Sequence, residues 1–455
     1  MHPRGWSALL DWLERHGFDT ANLGVEPRAT EGSGNGLFTT KHYSASKPLF
    51  TMPKTALLNL LTLRPLYPKP NSTPQLSSTQ IIALHLLLHR PSQLGSLDPQ
   101  YGPYIDVLPE NFDSHPLSWL INQRRAPSTL HAQLLGSLPP FVAADLQRVG
   151  TAFDADWSRV SEYIREYPSI LHSATNPSLV APDPSPGIDD FLWAWLNVNT
   201  RCVHYRVREP QSHPDNLTLC PIFDFANHSP TLPSAWPQTP DTKFHPSKGD
   251  NFTFISPPKG IEEGEEIFLR YGHHSNQFLF VEYGFVNPGR EGAFGDVDVS
   301  PIIERLFEDR GEVGAWMKAA LEDEGYWGKW TMHLSPEPAQ PGYRLIMALR
   351  LYHSLPLERT SVPTEDEDLL RPWRETVYGS RETISPENEK LWRKTLAELC
   401  ERIVQEASSH KTIVLSFADE PVWAKYMTSC IQLLWEEEKT VAQAVSQSIR
   451  DGVEF

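Results

Sequence analysis

The stretch LTLCPIFDFANHSP, Leu217–Pro230, sets an apolar run against three polar groups near its end. Leu219, Ile222, Phe223 and Phe225 have strand character, and Thr218 to Phe225 reads as a buried strand. Asp224, Asn227 and His228 then fall where losing water is costly. Asn, His, Ser and Pro are common where a strand turns out into solvent. Buried polar groups, however, need partners, so the sharper reading is a strand end that presents polar side chains to a ligand.

The surrounding chain has 455 residues, room for about three units at ~150 residues each. Proline is in excess, at 41 of 455 residues against a usual ~5 per cent. With 11 per cent aromatics this implies many irregular connections rather than disorder. The net charge of −17 argues against a nucleic-acid or anionic-membrane binder and suits either a basic partner or plain solubility. Charges at Asp11, Glu14 and Arg15 interrupt the opening apolar pattern, which excludes a signal-peptide core. No apolar run reaches the ~18 residues of a membrane span, so the expected location is intracellular, cytoplasmic and/or nuclear. Cys202, Cys220, Cys400 and Cys430 are scattered, which indicates neither a zinc cluster nor a disulfide framework. His85 and His89 stand four apart, a metal-capable spacing, but the glutamate of a zinc-protease motif is missing. They read as helix-surface histidines, and no metal site is expected.

Organisation follows from periodicity. The first residues form a helix to about residue 22, and strand character follows through Leu37, Thr39 and Leu49–Met52. A Pro/Ser linker leads into a helical stretch over about 75–190, opening at STQ with a serine capable of capping. IDDFLWAWLNVNTRCVHY starts a further helix behind Asp189 and Asp190. Strands return at Thr218, in NFTFIS and in EEIFLRYG, and the chain from about Asp298 is nearly all helix. The fold class is therefore α+β: short strands with a helical insertion, followed by an all-α C-terminal domain.

Three segments stand out: GSGNGLF (Gly32–Phe38), PIFDFANH (Pro221–His228) and GEEIFLRYGHHSNQFLFVEYGFV (Gly264–Val286). The first is no dinucleotide fingerprint, since no strong strand precedes it and Thr39, Thr40 and Lys41 follow in place of a helix. The last reads as a strand to Tyr271, a loop, a serine-capped helical turn and a stop at Gly284.

Together and in this order the segments resemble the SET-domain methyltransferases, in the branch typified by the Rubisco large-subunit methyltransferase. LLDWLERHGFD is similar to that family's opening helix, and GNGLFTTKHYSASKPLFTMPKTALL to its first strands. YGPYIDVLPENFDSHPLSWL looks like its insertion segment, and WAWLNVNTRCVHY like the helix that returns to the core. PIFDFANH and YGHHSNQFLFVEYGFV match its two signature motifs. The resemblance implies a SET domain over 23–290, split by the insertion, and a helical substrate-binding domain over 291–455. It implies S-adenosylmethionine as cofactor and a protein substrate presenting a lysine. Ser33, Gly34 and Asn35 would line the cofactor through their backbone. Arg201 would face its carboxylate, a fork to which a guanidinium is suited. Asp224, Asn227 and His228 would hold its two ends, Tyr271 would be the active-site tyrosine, and Tyr283, Gly284 and Phe285 would close the pocket. Ser33 and Thr200 depart from the family's usual residues. In the resembled fold the two signature motifs pass through one another, an exception to the un-knotted rule. Three other readings remain: histidine methylation within the same branch, a catalytically silent partner-binding SET protein, and a metallohydrolase using His273 and His274.

Overall fold

The computed structural model describes residues 3–30, 34–70, 74–93, 95–179, 187–238, 251–287, 296–362, 366–409 and 421–455. Along the chain run α1 (Pro3–Arg15), β1 (Val25–Thr30), β2 (Gly34–Thr39), β3 (Pro48–Met52), β4 (Leu58–Asn59) and α2 (Leu60–Leu63). The insertion carries α3 (Ser78–Leu88), α4 (Gly102–Ile105), α5 (Pro116–Arg125), α6 (Thr129–Gly136), α7 (Pro140–Glu166) and α8 (Ile188–Arg201). Then come β5 (Val203–His204), β6 (Leu217–Leu219), β7 (Asn227–His228), β8 (Trp236–Gln238), β9 (Phe252–Ile255), β10 (Glu266–Leu269) and α9 (Asn276–Tyr283). The last part holds β11 (Asp296–Asp298), α10 (Ser300–Glu308), α11 (Gly311–Asp323), β12 (Thr331–His333), β13 (Gln340–Pro341), α12 (Tyr343–Tyr352), α13 (Asp366–Val377), α14 (Pro386–Ser409) and α15 (Val422–Arg450). This is the α+β class expected. No helix among the described residues is long and apolar enough to cross a membrane.

The chain divides into two compact units, Met1–Ile121 with Arg148–His273, and Asn122–Gln147 with His274–Phe455. Among its described residues the first contains three small sheets, ordered β1-β2-β10-β7, β3-β9-β8 and β4-β6-β5. Within the β3-β9-β8 sheet the Phe50 ring lies 5.2 Å from Phe254, and the Phe223 ring of the turn after β6 stacks on Phe254 at 3.4 Å. Helices α3 and α8 pack on each other. Asp156 of α7 ties them together, accepting from Gln80 Nε2 of α3 at 2.8 Å and Trp195 Nε1 of α8 at 2.9 Å. That brace fixes where α8 ends, and its last residue is Arg201.

Two local expectations are corrected here. The strand read over Thr218–Phe225 stops at Leu219. Pro221 has no amide to donate to a ladder, and Ile222 adopts φ of 68°, a left-handed conformation unusual for a β-branched residue. The chain then makes a 3₁₀ turn at Phe223–Phe225 and re-enters a sheet as β7. His85 and His89 are buried, not on a helix surface. Helix α3 is apolar on nearly every side and lies inside the unit, so its histidines find partners there. Burial first, and then the neighbouring His85, lower the pKa of His89 to about 4. The helix is capped by Ser77 in a capping box with Gln80, one residue before the serine that opens STQ.

The second unit surrounds the buried side chains of Phe307, Trp330, Trp373 and Trp392 with helices α10 to α15 and the β11-β12-β13 ribbon. Its two chain segments are joined by Trp435 Nε1, which donates to Ser137 O at 2.8 Å. The acidic run in LLWEEEKT, Leu433–Thr440, is solvated only in part. Glu436 is exposed, but Glu438 is 5 per cent exposed and its Oε1 has no hydrogen-bond partner among the described residues. Burial, then the nearby Glu406 and Glu437, raise its pKa to about 8.

A raised carboxyl pKa means that the folded protein binds more protons than the unfolded chain between the ordinary ~4.3 and the folded value. Stability contributed by Glu438 is therefore present at low pH and lost as pH rises toward about 8. Glu438→Gln removes the titration. Urea titrations at pH 5, 7 and 8.5 should show the variant's stability relative to wild type improving with each step upward. A difference that does not change with pH would mean that Glu438 is not the buried acid described.

Candidate active site

The last turn of α8 and the 3₁₀ turn after Ile222 bring Arg201 and Asp224 together. Arg201 Nη1 donates to Asp224 O at 2.8 Å and reaches Asp224 Oδ2 at 3.4 Å. Tyr104 of α4 donates its hydroxyl to the same Oδ2 at 3.1 Å. The Asp224 side chain is 1 per cent exposed. Burial raises its pKa, while the Arg201 charge and the hydrogen bonds from Tyr104 and Arg201 oppose the rise. Two buried polar atoms, Asp224 Oδ1 and Arg201 Nε, have no hydrogen-bond partner among the described residues. One is an acceptor and the other a donor, which is unusual in a well-satisfied interior.

Strand β7 lies parallel to β10, with Asn227 opposite Phe268 and His228 opposite Leu269. Asn227 Nδ2 donates to Glu266 Oε1 at 2.7 Å. Glu266 in turn lies against β2: a Cβ added at Gly36 would fall 2.4 Å from that same Oε1. Glycine at 36 thus leaves the space through which Glu266 reaches Asn227. Tyr271 is tied to the segment at both ends of its residue. Its N–H donates to His228 Nδ1 at 3.1 Å, its hydroxyl donates to Ala226 O at 3.0 Å, and the two rings lie 5.1 Å apart. His228 Nδ1 is therefore an acceptor, which puts the ring proton on Nε2.

Gly34 opens β2 with φ of 79°, and Asn35 pairs with Ala29 in the adjoining strand. Ser33 lies outside the described residues. In the second unit, Ser275 caps α9 by accepting from Phe278 N, and Gly284 ends it in the left-handed conformation at φ 78°. Tyr283 and Phe285, on either side of that stop, have ring centroids 6.2 Å apart. His273 is exposed, and His274 stacks on Phe278 at 4.1 Å. Among the described residues, metal-capable side chains converge at His85, His89 and Asp98 rather than at this pair.

Tyr104 and Glu266 are the participants that sequence reasoning missed. Tyr104 sits in an apolar segment with no local sign of a polar role. Glu266 had one available signal, an acidic residue inside a short strand, where a charge needs a reason to be.

Gly36→Ala should push the Glu266 carboxylate aside and leave the Asn227 amide short of its acceptor, at a cost of about 1–3 kcal/mol. Glu266→Gln weakens the same bond directly. Denaturant unfolding of both single variants and the double variant should show coupling, the double costing less than the sum. Additive losses would show that Gly36 and Glu266 act separately.

No family model matches the chain. It is 24% identical over 458 residues to human SET domain-containing protein 4, covering 98% of this chain and 92% of that protein. It is 27% identical to the ribosomal lysine N-methyltransferase set11 of Schizosaccharomyces pombe, over 73% of this chain and 71% of the relative. Among solved structures, the SET domain of LSMT bound to lysine and AdoHcy superposes with a TM-score of 0.67 at 19% identity, covering 99% of this chain and 92% of that one. That likeness carries the fold, and the sequence relatives run in the same direction over most of their lengths. With its motifs in the same order, the chain is similar over most of its length to SET domain-containing proteins, and it shares the fold of the LSMT SET structure.

Proposed function

We propose that this chain is an S-adenosylmethionine-dependent protein-lysine N-methyltransferase whose cofactor site is built around Arg201, Asp224, Asn227 and His228, with Tyr271 as the active-site tyrosine. The carrying observation is the pair of unsatisfied buried atoms, Asp224 Oδ1 and Arg201 Nε. An amino-acid zwitterion supplies an ammonium to the first and a carboxylate to the second, so the methionine end of the cofactor fits the chemistry present. The backbone of Gly34 and Asn35 and the side chains of Asn227 and His228 complete the set in this reading, and Ser33, Tyr283, Gly284 and Phe285 join it by resemblance alone. The helical region from about 291 carries recognition of the protein substrate.

S-adenosylmethionine supplies a sulfonium methyl group for in-line displacement by a neutral amine. Free lysine has pKa ≈ 10.4, so at pH 7 only about one side chain in 2,500 is neutral. The site's task is thus to exclude water, which favours the neutral amine, and to align it. The Tyr271 hydroxyl, fixed on Ala226 O, serves as an oriented polar group and not as a free base. Arg201 and Asp224 anchor the amino-acid end and set the direction from which the methyl group is offered.

The decisive experiment is methylation of a cell extract with isotopically labelled S-adenosylmethionine, followed by residue-level mass spectrometry. Label on lysine is expected. Label on histidine would move the activity within the family, and absent label together with absent cofactor binding would overturn the proposal in favour of a silent partner-binding protein.

Two variants test the site. Asn227→Ala should weaken cofactor binding by about 5- to 150-fold in calorimetry, the range that ~1–3 kcal/mol for an unsatisfied buried group corresponds to. Tyr271→Phe keeps the ring against His228 and loses only the hydroxyl. Cofactor affinity should stay within a few-fold of wild type while turnover falls by about 10²-fold, as when one oriented donor is removed from a reacting centre. Wild-type turnover would remove Tyr271 from the reaction.

A further inference from the structure

His85 in the last turn of α3 and His89, which caps that helix one turn later, are joined by Asp98 from the following loop. All three side chains are buried, at 1, 6 and 7 per cent exposure. One nitrogen or oxygen from each lies within 4.8 Å of the other two. His85 Nε2 is 3.2 Å from Asp98 Oδ2, and His89 Nε2 is 3.8 Å from Asp98 Oδ1. The second distance is beyond a hydrogen bond, so Asp98 does not satisfy both imidazoles as a plain hydrogen-bonded triad would. Ligands held at ~2.0–2.1 Å around a tetrahedral ion stand about 3.3 Å apart, close to the 3.2 Å between His85 Nε2 and Asp98 Oδ2.

The groups behind the three side chains orient them toward a common point. The Tyr67 hydroxyl meets His85 Nδ1 at 2.7 Å, and Thr175 Oγ1 meets His89 Nδ1 at 3.1 Å. As acceptors, both oxygens hold the ring proton on Nδ1 and leave the Nε2 lone pair facing inward. Asp98 Oδ2 accepts from Tyr101 N at 2.7 Å. Outer partners of this type, an oxygen on the far nitrogen of each histidine, are what fix ligands around a bound ion.

We propose that His85, His89 and Asp98 form a structural site for a divalent borderline cation of the zinc class. Two imidazoles and one carboxylate suit zinc or cobalt better than the oxygen-preferring magnesium or calcium. One coordination position is left for water. The site joins α3 to the loop before α4, and α3 packs on α8, the helix that carries Arg201. A bound ion therefore stiffens the scaffold of the proposed cofactor site without touching the reacting groups. This assignment stands independently of the methyl-transfer reading.

The test uses the full chain, purified without a polyhistidine tag, stripped with chelator and titrated with cobalt(II). The expected result is about one cobalt per chain, with visible absorption bands of a low-symmetry four-coordinate ion that zinc abolishes. Zinc should raise the thermal midpoint of wild type. Asp98→Asn, which keeps a hydrogen-bonding group beside His85, should lose the bands and the zinc-dependent shift. No cobalt bands in folded wild type, or unchanged bands in the variant, would overturn the proposal. Should Asp98→Asn fail to fold, X-ray absorption of cobalt-loaded wild type decides: two imidazoles with oxygen ligands support the site, and any other donor set overturns it.

Discussion

The Asp224 carboxylate, held out of water between the Arg201 guanidinium and the Tyr104 hydroxyl, is the constraint on which the site depends. Removing charges from water costs several kcal/mol per ion, and a buried pair recovers this only with good geometry and further hydrogen bonds. Here three segments far apart in sequence must arrive together. Helix α8 brings Arg201, α4 brings Tyr104, and the left-handed turn at Ile222 aims Asp224 inward. The helical insertion is thus part of the site's construction and not an ornament on a complete core. Satisfaction stops short of complete, with one atom of each charged group unpartnered, and in a low-dielectric interior such gaps weigh heavily. A ligand that fills both recovers what the folded chain alone leaves unmade.

Strand register does the remaining positioning. Parallel pairing of β7 with β10 sets Asn227 opposite Phe268, while antiparallel pairing sets Glu266 opposite Phe38 of β2. Side chains alternate faces with a period of two, so a slip of one residue in β10 would turn Glu266 away from both Asn227 and Gly36. The apolar pattern resists such a slip, because Ile267 and Leu269 are buried on the opposite face. Core packing therefore specifies the polar contact, although no apolar residue takes part in it. Tyr271, two residues beyond β10, inherits its place against Ala226 and His228 from the same register.

Local chemistry was legible in the sequence wherever the signal was local. Ser275 and Gly284 bracket α9 as their capping preferences require, and the division into short strands, helical insertion and helical tail follows from periodicity. The strand drawn through Ile222 failed because an apolar run does not reveal backbone conformation, and Pro221 was the one warning. His85 and His89 were misplaced because spacing alone does not tell a buried helix face from an exposed one. The all-round apolar character of α3 was the better guide. Tyr104 and Glu266 were invisible for a different reason: their partners lie 120 and 39 residues away, and only the folded chain supplies that proximity. The roles assigned to Arg201, Asn227 and Tyr271 came from family resemblance, not from any local property of those residues.

Two buried carboxyl groups in this chain meet opposite surroundings. Glu438 has carboxylates, Glu406 and Glu437, for neighbours, and both add to the effect of burial. Its pKa of about 8 keeps it largely protonated at neutral pH, where it acts as a neutral core side chain with an idle oxygen. Asp224 is buried at least as deeply, but the nearest charge is a guanidinium and two hydrogen bonds favour its ionised form. Burial alone would push both groups toward neutrality. Both groups remain raised from the ordinary carboxyl value, but the Arg201 charge and the hydrogen bonds offset part of the rise at Asp224, whereas the carboxylates beside Glu438 add to it. No comparable cation faces Glu438 among the groups that set its pKa. Burial marks both acids as unusual, and the company of Arg201 distinguishes Asp224, which is why the proposed cofactor site is built there and not at Glu438.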